Sequence, residues 1–258
     1  MKATNRITDY DKVLPIAELY RCVQSEGSRF GRPTIAIRVT GCTHRCWFGE
    51  GGWCDSWYTS IHPEKGKFTF NDIIKIYDEN PHIKEMMLTG GSPTMQPTLV
   101  NELTHFCARR GIIMTIETEG SHFIHTDFPI DLVSLSPKFS NSVPKLGIET
   151  PKGNIVDQKF IDQHNKFRLN EEAIRQMITT YDYHYKPVWD GTEENLKEIE
   201  DFRVKFGIPK NKTYIMPAGD TREQLIKMYP LVFELCARVG YNMTGRDHII
   251  AYDTKREV

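Results

Sequence analysis

Short apolar runs recur along the chain, and polar stretches separate them. Most runs hold consecutive apolar residues rather than an apolar and polar alternation, which is typical of strands that are buried on both faces. The pattern predicts strands over residues 33–39, 84–89, 112–117, 131–136, 182–189, 213–216 and 248–252.

Helical periodicity fills most of the intervals between these runs. Leu99, Leu103 and Phe106 fall on one face of one such interval, as the core-facing side of an amphipathic helix requires. The predicted helices cover residues 70–79, 98–110, 170–180, 192–206 and 221–239. Strands that alternate with helices pair in parallel, so the sequence predicts the α/β class.

Residues 139–167 have no clear period and contain many polar residues, glycines and prolines. A structureless stretch of this length in a compact domain is usually a lid, an interface or a disordered segment. The 258 residues suit one domain near the upper size for a single core. We therefore predict one domain that carries a polar lid or interface near 139–167.

Charge and composition narrow the class of protein. The chain has 33 basic and 34 acidic residues, so no global attraction to nucleic acid or to an acidic membrane is expected. The first residues lack the apolar core of a signal peptide, and no apolar run approaches the ~20 residues of a membrane span. These features predict a cytoplasmic protein with a small-molecule substrate, no nucleic-acid partner and no membrane contact.

Cysteines are clustered directly after the first predicted strand. Cys42, Cys46 and Cys54 lie in the stretch GCTHRCWFGEGGWCD, whereas the other three cysteines are remote in sequence. In a reducing compartment a cluster of this kind indicates a metal or redox site. Three thiolates can hold a four-iron, four-sulfur cluster with one iron open, and they can also hold zinc if His44 or His62 supplies a fourth ligand.

Polar residues also follow the next three predicted strands. These sequences are TGGSP at 89–93, ETEG at 117–120 and SPK at 136–138. Each alone could be a solvated loop, but the carboxyl ends of parallel strands share one rim, where ligands bind in α/β folds. The ordered series therefore predicts a binding site at that rim.

Together these motifs resemble the radical S-adenosylmethionine enzymes and, more narrowly, the 7-carboxy-7-deazaguanine synthase family. The narrower resemblance depends on VQSEG at 23–27, GRP at 31–33, RVTGC at 38–42 and WCDS at 53–56. It is firm over residues 18–138 and looser over the rest of the chain. The resemblance implies an incomplete TIM-like barrel of about six parallel strands.

The resemblance implies that Cys42, Cys46 and Cys54 hold the cluster and that S-adenosylmethionine occupies the open iron. One electron then yields a 5'-deoxyadenosyl radical, which starts the ring contraction of 6-carboxy-5,6,7,8-tetrahydropterin to 7-carboxy-7-deazaguanine with loss of ammonia. The implied S-adenosylmethionine-binding residues are Gly90, Gly91, Ser92, Glu119, Ser136 and Lys138.

The implied substrate-binding residues are Gln24, Glu26, Arg38, Thr89, Glu117 and His248. Their chemistry suits a carboxylated pterin, because a guanidinium binds carboxylates and Glu or Gln side chains accept hydrogen bonds from the ring. The family also implies Mg²⁺ beside the substrate carboxylate, with the Ser56 hydroxyl as a ligand. A flavodoxin or ferredoxin as electron donor, and a homodimer, are further implications.

The chain departs from the family pattern at two positions. The cysteines read C-x3-C-x7-C instead of C-x3-C-x2-C, with residues 48–52 apparently inserted. Ser92 stands where the family has glutamate in TGGEP, which removes a carboxylate that could hold the ammonium group of S-adenosylmethionine. Glu119 could compensate for that loss.

Two other functions remain open at this point. The stretch GCTHRC also resembles glycyl-radical activases, so another radical S-adenosylmethionine enzyme is the first alternative. The second is a zinc-stabilised binding module, which would show no turnover and would unfold on loss of the metal.

Overall fold

The computed structural model describes residues 6–49 and 52–258. Nine strands form two sheets in this part of the chain. The strands are β1 (Ile16–Val23), β2 (Pro33–Val39), β3 (Glu85–Gly90), β4 (Ile113–Thr118), β5 (Leu132–Leu135), β6 (Tyr183–Tyr185), β7 (Val188–Trp189), β8 (Tyr214–Pro217) and β9 (Asn242–Met243).

The first sheet has the order β1-β2-β3-β4-β5-β6, and the second has the order β7-β8-β9. All neighbouring pairs are parallel except β1 with β2, which is antiparallel. A parallel bridge between Tyr185 and Thr213 connects the two sheets. The expected class, α/β with a parallel sheet, is therefore confirmed, but five rather than six strands of the larger sheet are parallel.

Helices cover the connections between these strands. They are α1 (Trp57–Ser60), α2 (Phe70–Glu79), α3 (Pro97–Arg110), α4 (Gln158–Phe167), α5 (Glu171–Thr180), α6 (Glu193–Lys205), α7 (Arg222–Val239) and α8 (Asp247–Tyr252), with 3-10 turns at Gly27–Arg29, Pro93–Met95, Ser140–Ser142 and Lys210–Lys212. Capping follows the sequence at several ends. For example, Thr221 and Gln224 form the reciprocal hydrogen bonds of a capping box before α7.

One predicted strand is wrong. Residues 248–252 lie in helix α8 instead. A short apolar run such as HIIAY cannot be assigned to strand or helix from its pattern alone, and here one buried residue, Ile249, suffices to anchor one helical turn.

Two further elements have weak sequence signals. Strand β1 carries the charged residues Glu18 and Arg21 inside its apolar run, which hides it from a hydrophobicity pattern. Helix α4 lies within residues 139–167, and its only buried residue is the polar His164. Because it buries no apolar side chain completely, it lacks the buried apolar residues that mark the other long helices.

The core lies between the sheets and the helices. Residues of β2, β3 and β4 with almost no exposure, including Ile37, Leu88 and Met114, pack with residues of α2 and α3 such as Ile73 and Leu103. Among the described residues, no helix is both long and apolar enough to cross a membrane.

The core around β2 should dominate the stability of the fold. We expect Ile37→Ala to lower the free energy of unfolding by about 2–5 kcal/mol, because Ile37 has no exposed surface and its loss leaves a cavity. The matched substitution Ile226→Ala, at a residue that is 58% exposed, should change it by no more than about 0.5 kcal/mol. Urea unfolding of both variants measures this difference, and equal effects would contradict the assignment of the core.

Candidate active site

A deep cleft opens at the carboxyl ends of the parallel strands. Its empty space, including the mouth that is open to solvent, is about 1140 Å³. The predicted site residues that line it are Gln24, Glu26, Arg38, Cys42, Cys46, Cys54, Ser56, Thr89, Gly90, Gly91, Glu117, Glu119, Ser136, Lys138 and His248.

Gly90 and Gly91 allow the end of β3 to approach the start of the cysteine loop, which we define as residues 41–54. The Gly91 N–H donates to Val39 O at 3.0 Å, and the Ser92 N–H donates to Gly41 O at 2.8 Å. A Cβ atom at Gly91 would lie 2.2 Å from Gly41 O. The glycines are therefore required for close contact between two backbones, in addition to lining the cleft.

The described residues on either side of the insertion bring Cys46 and Cys54 together. The Phe48 N–H donates to Gly52 O at 2.8 Å, and Trp47 pairs with Trp53 in an antiparallel bridge. Beyond this bridge the Cys54 N–H donates to Cys46 O at 3.1 Å. Residues 50 and 51 of the insertion lie outside the described part of the chain. The described flanks explain how the longer spacing still lets the cysteines converge.

All three cysteines of this loop are free and line the cleft. Burial raises the pKa of Cys42, Cys46 and Cys54, and the neighbouring thiolates add to the increase at Cys42 and Cys46. Three crowded thiols of this kind bind iron as thiolates, so cluster binding would release their protons. Within residues 6–49 and 52–258, no group of three His, Cys, Asp or Glu residues is arranged around a single metal ion. A four-iron cluster does not require that arrangement, because each cysteine binds a different iron.

His44 provides a second sign that this part of the cleft is built for a bound group. Its side chain is 1% exposed and lines the cleft between Cys42 and Cys46. Nδ1 lies 2.8 Å from Thr43 Oγ1, whereas Nε2 has no hydrogen-bond partner among the described residues. A buried polar atom without a partner is uncommon and often faces a ligand or ion. His62, the other histidine considered for zinc, instead contacts Thr150 Oγ1 at 3.0 Å.

Ser92 lies behind the cleft rather than in its wall. It is fully buried, and its hydroxyl donates to Glu119 Oε1 at 2.5 Å. The Ser121 hydroxyl donates to the same oxygen. Burial alone would raise the pKa of Glu119, but nearby His44 and the Ser121 and Ser92 hydroxyls hold it below its ordinary value. Ser92, which was predicted to bind the cofactor, is thus not among the residues that line this cleft and contacts Glu119 instead.

Charged residues occupy the other side of the cleft. Lys186 Nζ donates to Glu26 Oε2 at 2.6 Å and to Glu117 Oε2 at 2.7 Å. Arg246 pairs with Glu26 at 3.3 Å and also with Asp55. Burial alone would raise the pKa of Glu26, but Lys186 and Arg246 lower it to about 2, so Glu26 is ionised at neutral pH.

Arg38 and Ser56 are hydrogen-bonded to each other in the same cleft. Arg38 Nε donates to Glu18 Oε2 at 2.7 Å, and Nη1 donates to Ser56 Oγ at 2.8 Å. The Ser56 hydroxyl in turn donates to Asp55 Oδ1 at 3.1 Å. His248 lines the same region, and burial lowers its pKa, which favours the neutral ring.

Lys186 and Arg246 are site residues that the sequence analysis missed. Lys186 directly follows β6, so it continues the series of polar strand ends by one more strand. The predicted strand 182–189 places Lys186 inside a strand rather than at its end, so the series of polar strand ends does not reveal it. Arg246 sits just before α8, outside every predicted element, and carries no comparable signal.

Comparison with known proteins gives several similar chains. A 7-carboxy-7-deazaguanine synthase of Halobacterium salinarum is 32% identical over 250 residues, which cover 95% of this chain and 92% of the relative. The synthase of Rhodopirellula baltica is 30% identical, with 94% and 88% coverage. That of Pyrobaculum aerophilum is 24% identical, with 99% coverage of both chains. No protein-family model matches the chain.

A solved structure is similar in fold. The crystal structure of QueE from Escherichia coli superimposes with a TM-score of 0.61 at 17% identity, over 90% of this chain and 93% of that chain. The chain therefore shares its fold with this enzyme.

Removing the buried lysine should destabilise the protein and change its pH dependence. We expect Lys186→Met to lower the free energy of unfolding at pH 7 by about 3–5 kcal/mol, because two buried carboxylates lose their shared partner. Lys212→Met is the matched control, since that lysine pairs with Asp182 at the surface and should cost about 1 kcal/mol or less.

The pH profile gives the sign of this effect. The lowered pKa of Glu26 stabilises the wild type above about pH 4.3, and this stabilisation is lost as the pH falls toward 2. Without Lys186 the pKa of Glu26 rises toward its ordinary value, so the variant should lose less stability than the wild type as the pH falls below about 4.3. Urea unfolding between pH 7 and pH 3 measures both effects, and parallel profiles for wild type and variant would refute the ion pairing.

Proposed function

The chain belongs to the 7-carboxy-7-deazaguanine synthase family, and from this membership we infer how its cleft carries out the reaction. It is a radical S-adenosylmethionine lyase that converts 6-carboxy-5,6,7,8-tetrahydropterin to 7-carboxy-7-deazaguanine, with ring contraction and loss of ammonia. The comparisons favour neither a glycyl-radical activase nor a zinc-stabilised binding module. The observation that carries the assignment to this cleft is that the residues implied by the family, apart from Ser92, line it together.

We propose that Cys42, Cys46 and Cys54 hold a four-iron, four-sulfur cluster. When bound, the cluster and S-adenosylmethionine supply the hydrogen-atom abstraction that starts the ring contraction. The donor set suits such a cluster, because three free thiols line one cleft together with His44, whose Nε2 has no partner among the described residues. Burial of Cys46 limits the access of water to this region.

Glu119 is the proposed acceptor for the ammonium group of S-adenosylmethionine. Its carboxylate is ionised, and the hydroxyls of Ser92 and Ser121 fix its orientation from behind. Ser92 thus offsets the missing glutamate of the TGGEP motif by supporting a carboxylate on the next strand. Gly90, Gly91, Ser136 and Lys138 would complete the S-adenosylmethionine site, with the Lys138 ammonium held 2.8 Å from Ser136 Oγ.

The charged side of the cleft is the proposed pterin site. The carboxylate oxygens of Glu26 and Glu117 can accept hydrogen bonds from ring N–H groups, and Lys186 Nζ contacts both side chains and keeps Glu26 ionised. Arg38 is the proposed partner of the substrate carboxylate. Gln24, Thr89 and His248 are the remaining proposed contacts, and all three line this region.

Mg²⁺ is the proposed neutraliser of the substrate carboxylate, with Ser56 Oγ as its protein ligand. The support is chemical, since the hydroxyl is a hard oxygen donor beside Asp55, which is ionised because Arg246 and Arg38 outweigh the effect of burial and lower its pKa. A bound ion would compete with Arg38 for the Ser56 oxygen.

We also propose an acidic flavodoxin or ferredoxin as electron donor, a homodimer and a cytoplasmic location. Exposed Lys145 lies 5.5 Å from the centre of the Trp47 ring in the cysteine loop and, with exposed Lys152 and Lys159 of the same segment, would attract an acidic protein. The free cysteines of the described residues suit a reducing compartment. An incomplete barrel is proposed as well, because β2 to β9 are all parallel and the Tyr185 bridge links the two sheets.

An anaerobic assay tests the proposed function. After reconstitution with iron and sulfide, the wild type should have an absorption band that dithionite bleaches, and it should convert the carboxytetrahydropterin to a product with the mass of 7-carboxy-7-deazaguanine. Cys42→Ala, Cys46→Ala and Cys54→Ala should each abolish the product and lose most of the iron, because each removes a cluster ligand.

Cys236→Ala is the matched control, since this buried cysteine lies on α7 away from the cleft and should retain both iron and activity. A wild type that retains zinc but no iron would exclude the proposed chemistry. So would a variant of the three loop cysteines that keeps full iron content.

The role of Ser56 can be tested through the Mg²⁺ dependence of the rate. Ser56→Ala should raise the Mg²⁺ concentration for half-maximal activity by about tenfold or more, because the ion loses its protein ligand. Ser56→Thr keeps the hydroxyl and is the control. Identical Mg²⁺ titrations for the alanine variant and the wild type would remove Ser56 from the metal site.

A further inference from the structure

Residues 139–167 contact the cysteine loop on both of its sides. The segment contains the 3-10 turn Ser140–Ser142, a hairpin closed by the bridge between Glu149 and Ile155, and helix α4. Although most of its residues are exposed, Ser142 and His164 are completely buried. Both of these buried residues contact the cysteine loop.

His164 and Ser142 bind the backbone on either side of Cys46. The Arg45 N–H donates to His164 Nδ1 at 3.0 Å, and the Trp47 N–H donates to Ser142 O at 2.9 Å. Cys46 itself is 5% exposed. The backbone that carries this cysteine is therefore fixed by two groups that come from a single distant segment.

A further hydrogen bond fixes the imidazole of His164. Ser142 Oγ donates to Phe139 O at 2.6 Å, so at 3.2 Å from His164 Nε2 it acts as the acceptor. Nε2 then carries the proton, and Nδ1 is free to accept from Arg45. The two contacts of the ring thus require the same tautomer.

Glu149 and Phe160 of the segment contact the part of the cysteine loop that carries Cys54. Trp53 Nε1 donates to Glu149 O at 3.0 Å, and its ring packs edge-on against Phe160 at 6.1 Å. The Arg45 guanidinium lies 5.9 Å from the centre of the same Phe160 ring. Both ends of the loop are therefore attached to residues 139–167.

We propose that residues 139–167 are a clamp that holds the cysteine loop in the geometry for cluster binding, with His164 as its main positioning residue. This inference rests on the proposed function, because it assumes that the loop cysteines bind the cluster. It gives the segment a structural role in retention of the cofactor. His164 acts through the Arg45 backbone and is not a cluster ligand.

Two substitutions separate the contacts of His164. His164→Asn keeps an acceptor near the position of Nδ1, whereas His164→Gln keeps a donor near the position of Nε2 and loses the acceptor. We expect His164→Ala and His164→Gln to lose the reconstituted cluster to a chelator about tenfold faster than the wild type, the range for partners that orient metal ligands. His164→Asn should restore most of the retention.

Gln163→Ala is the control, because this exposed residue lies on the same helix and should retain the cluster like the wild type. Trp53→Phe tests the contact between Trp53 and Glu149. It carries little risk to folding, since it keeps an aromatic ring and removes the indole donor to Glu149 O. It should speed cluster loss about threefold, as expected for one neutral hydrogen bond. Circular dichroism of the apoproteins checks that all variants are folded.

The outcomes distinguish this inference from the proposed function. If the wild type holds the cluster and His164→Ala, His164→Gln and Trp53→Phe release it at the wild-type rate, the clamp is refuted while the function stands. If the wild type itself holds no cluster, both fail. Faster loss in the alanine and glutamine variants with rescue by asparagine supports the clamp.

Discussion

Parallel pairing of the strands from β2 onward is the constraint on which the whole site depends. It gives every strand the same direction, so the residue after each strand reaches the same rim. The cysteine loop follows β2, Gly91 follows β3, Glu119 follows β4, Ser136 follows β5 and Lys186 follows β6. This order of strands therefore places the thiols and the ionised groups in one cleft.

The two sides of the cleft meet different physical demands. On the thiol side, burial disfavours the charged thiolate form of Cys42 and Cys46 as long as no metal cluster binds them. Backbone contacts rather than ion pairs hold the loop there. On the other side, Glu26, Glu117, Lys186 and Arg246 compensate one another, so these charges remain in a buried setting. Such a network leaves carboxylate acceptors in fixed positions before a substrate binds, which reduces the ordering needed on binding.

Much of this architecture could be predicted from the sequence, because the parallel strands are buried on both faces and read as apolar runs. The five predicted helices have counterparts in α2, α3, α5, α6 and α7. The pattern could not find β1, whose Glu18 is buried but paired with Arg38, nor α4, which is ordered by contacts with a loop far away in sequence. The antiparallel direction of β1 has no local signal either. Within the site, the pairing of Lys186 with Glu26 joins residues 160 positions apart, which no spacing rule reveals.

The central claim is that one cluster is held by three cysteines and leaves a single iron open to S-adenosylmethionine. Mössbauer spectroscopy of the protein reconstituted with ⁵⁷Fe, recorded with and without S-adenosylmethionine, tests it most directly. The account predicts a four-iron cluster in which a single iron site changes its spectrum when S-adenosylmethionine binds. A cluster whose iron sites are all unaffected, or the absence of a four-iron cluster, would contradict it.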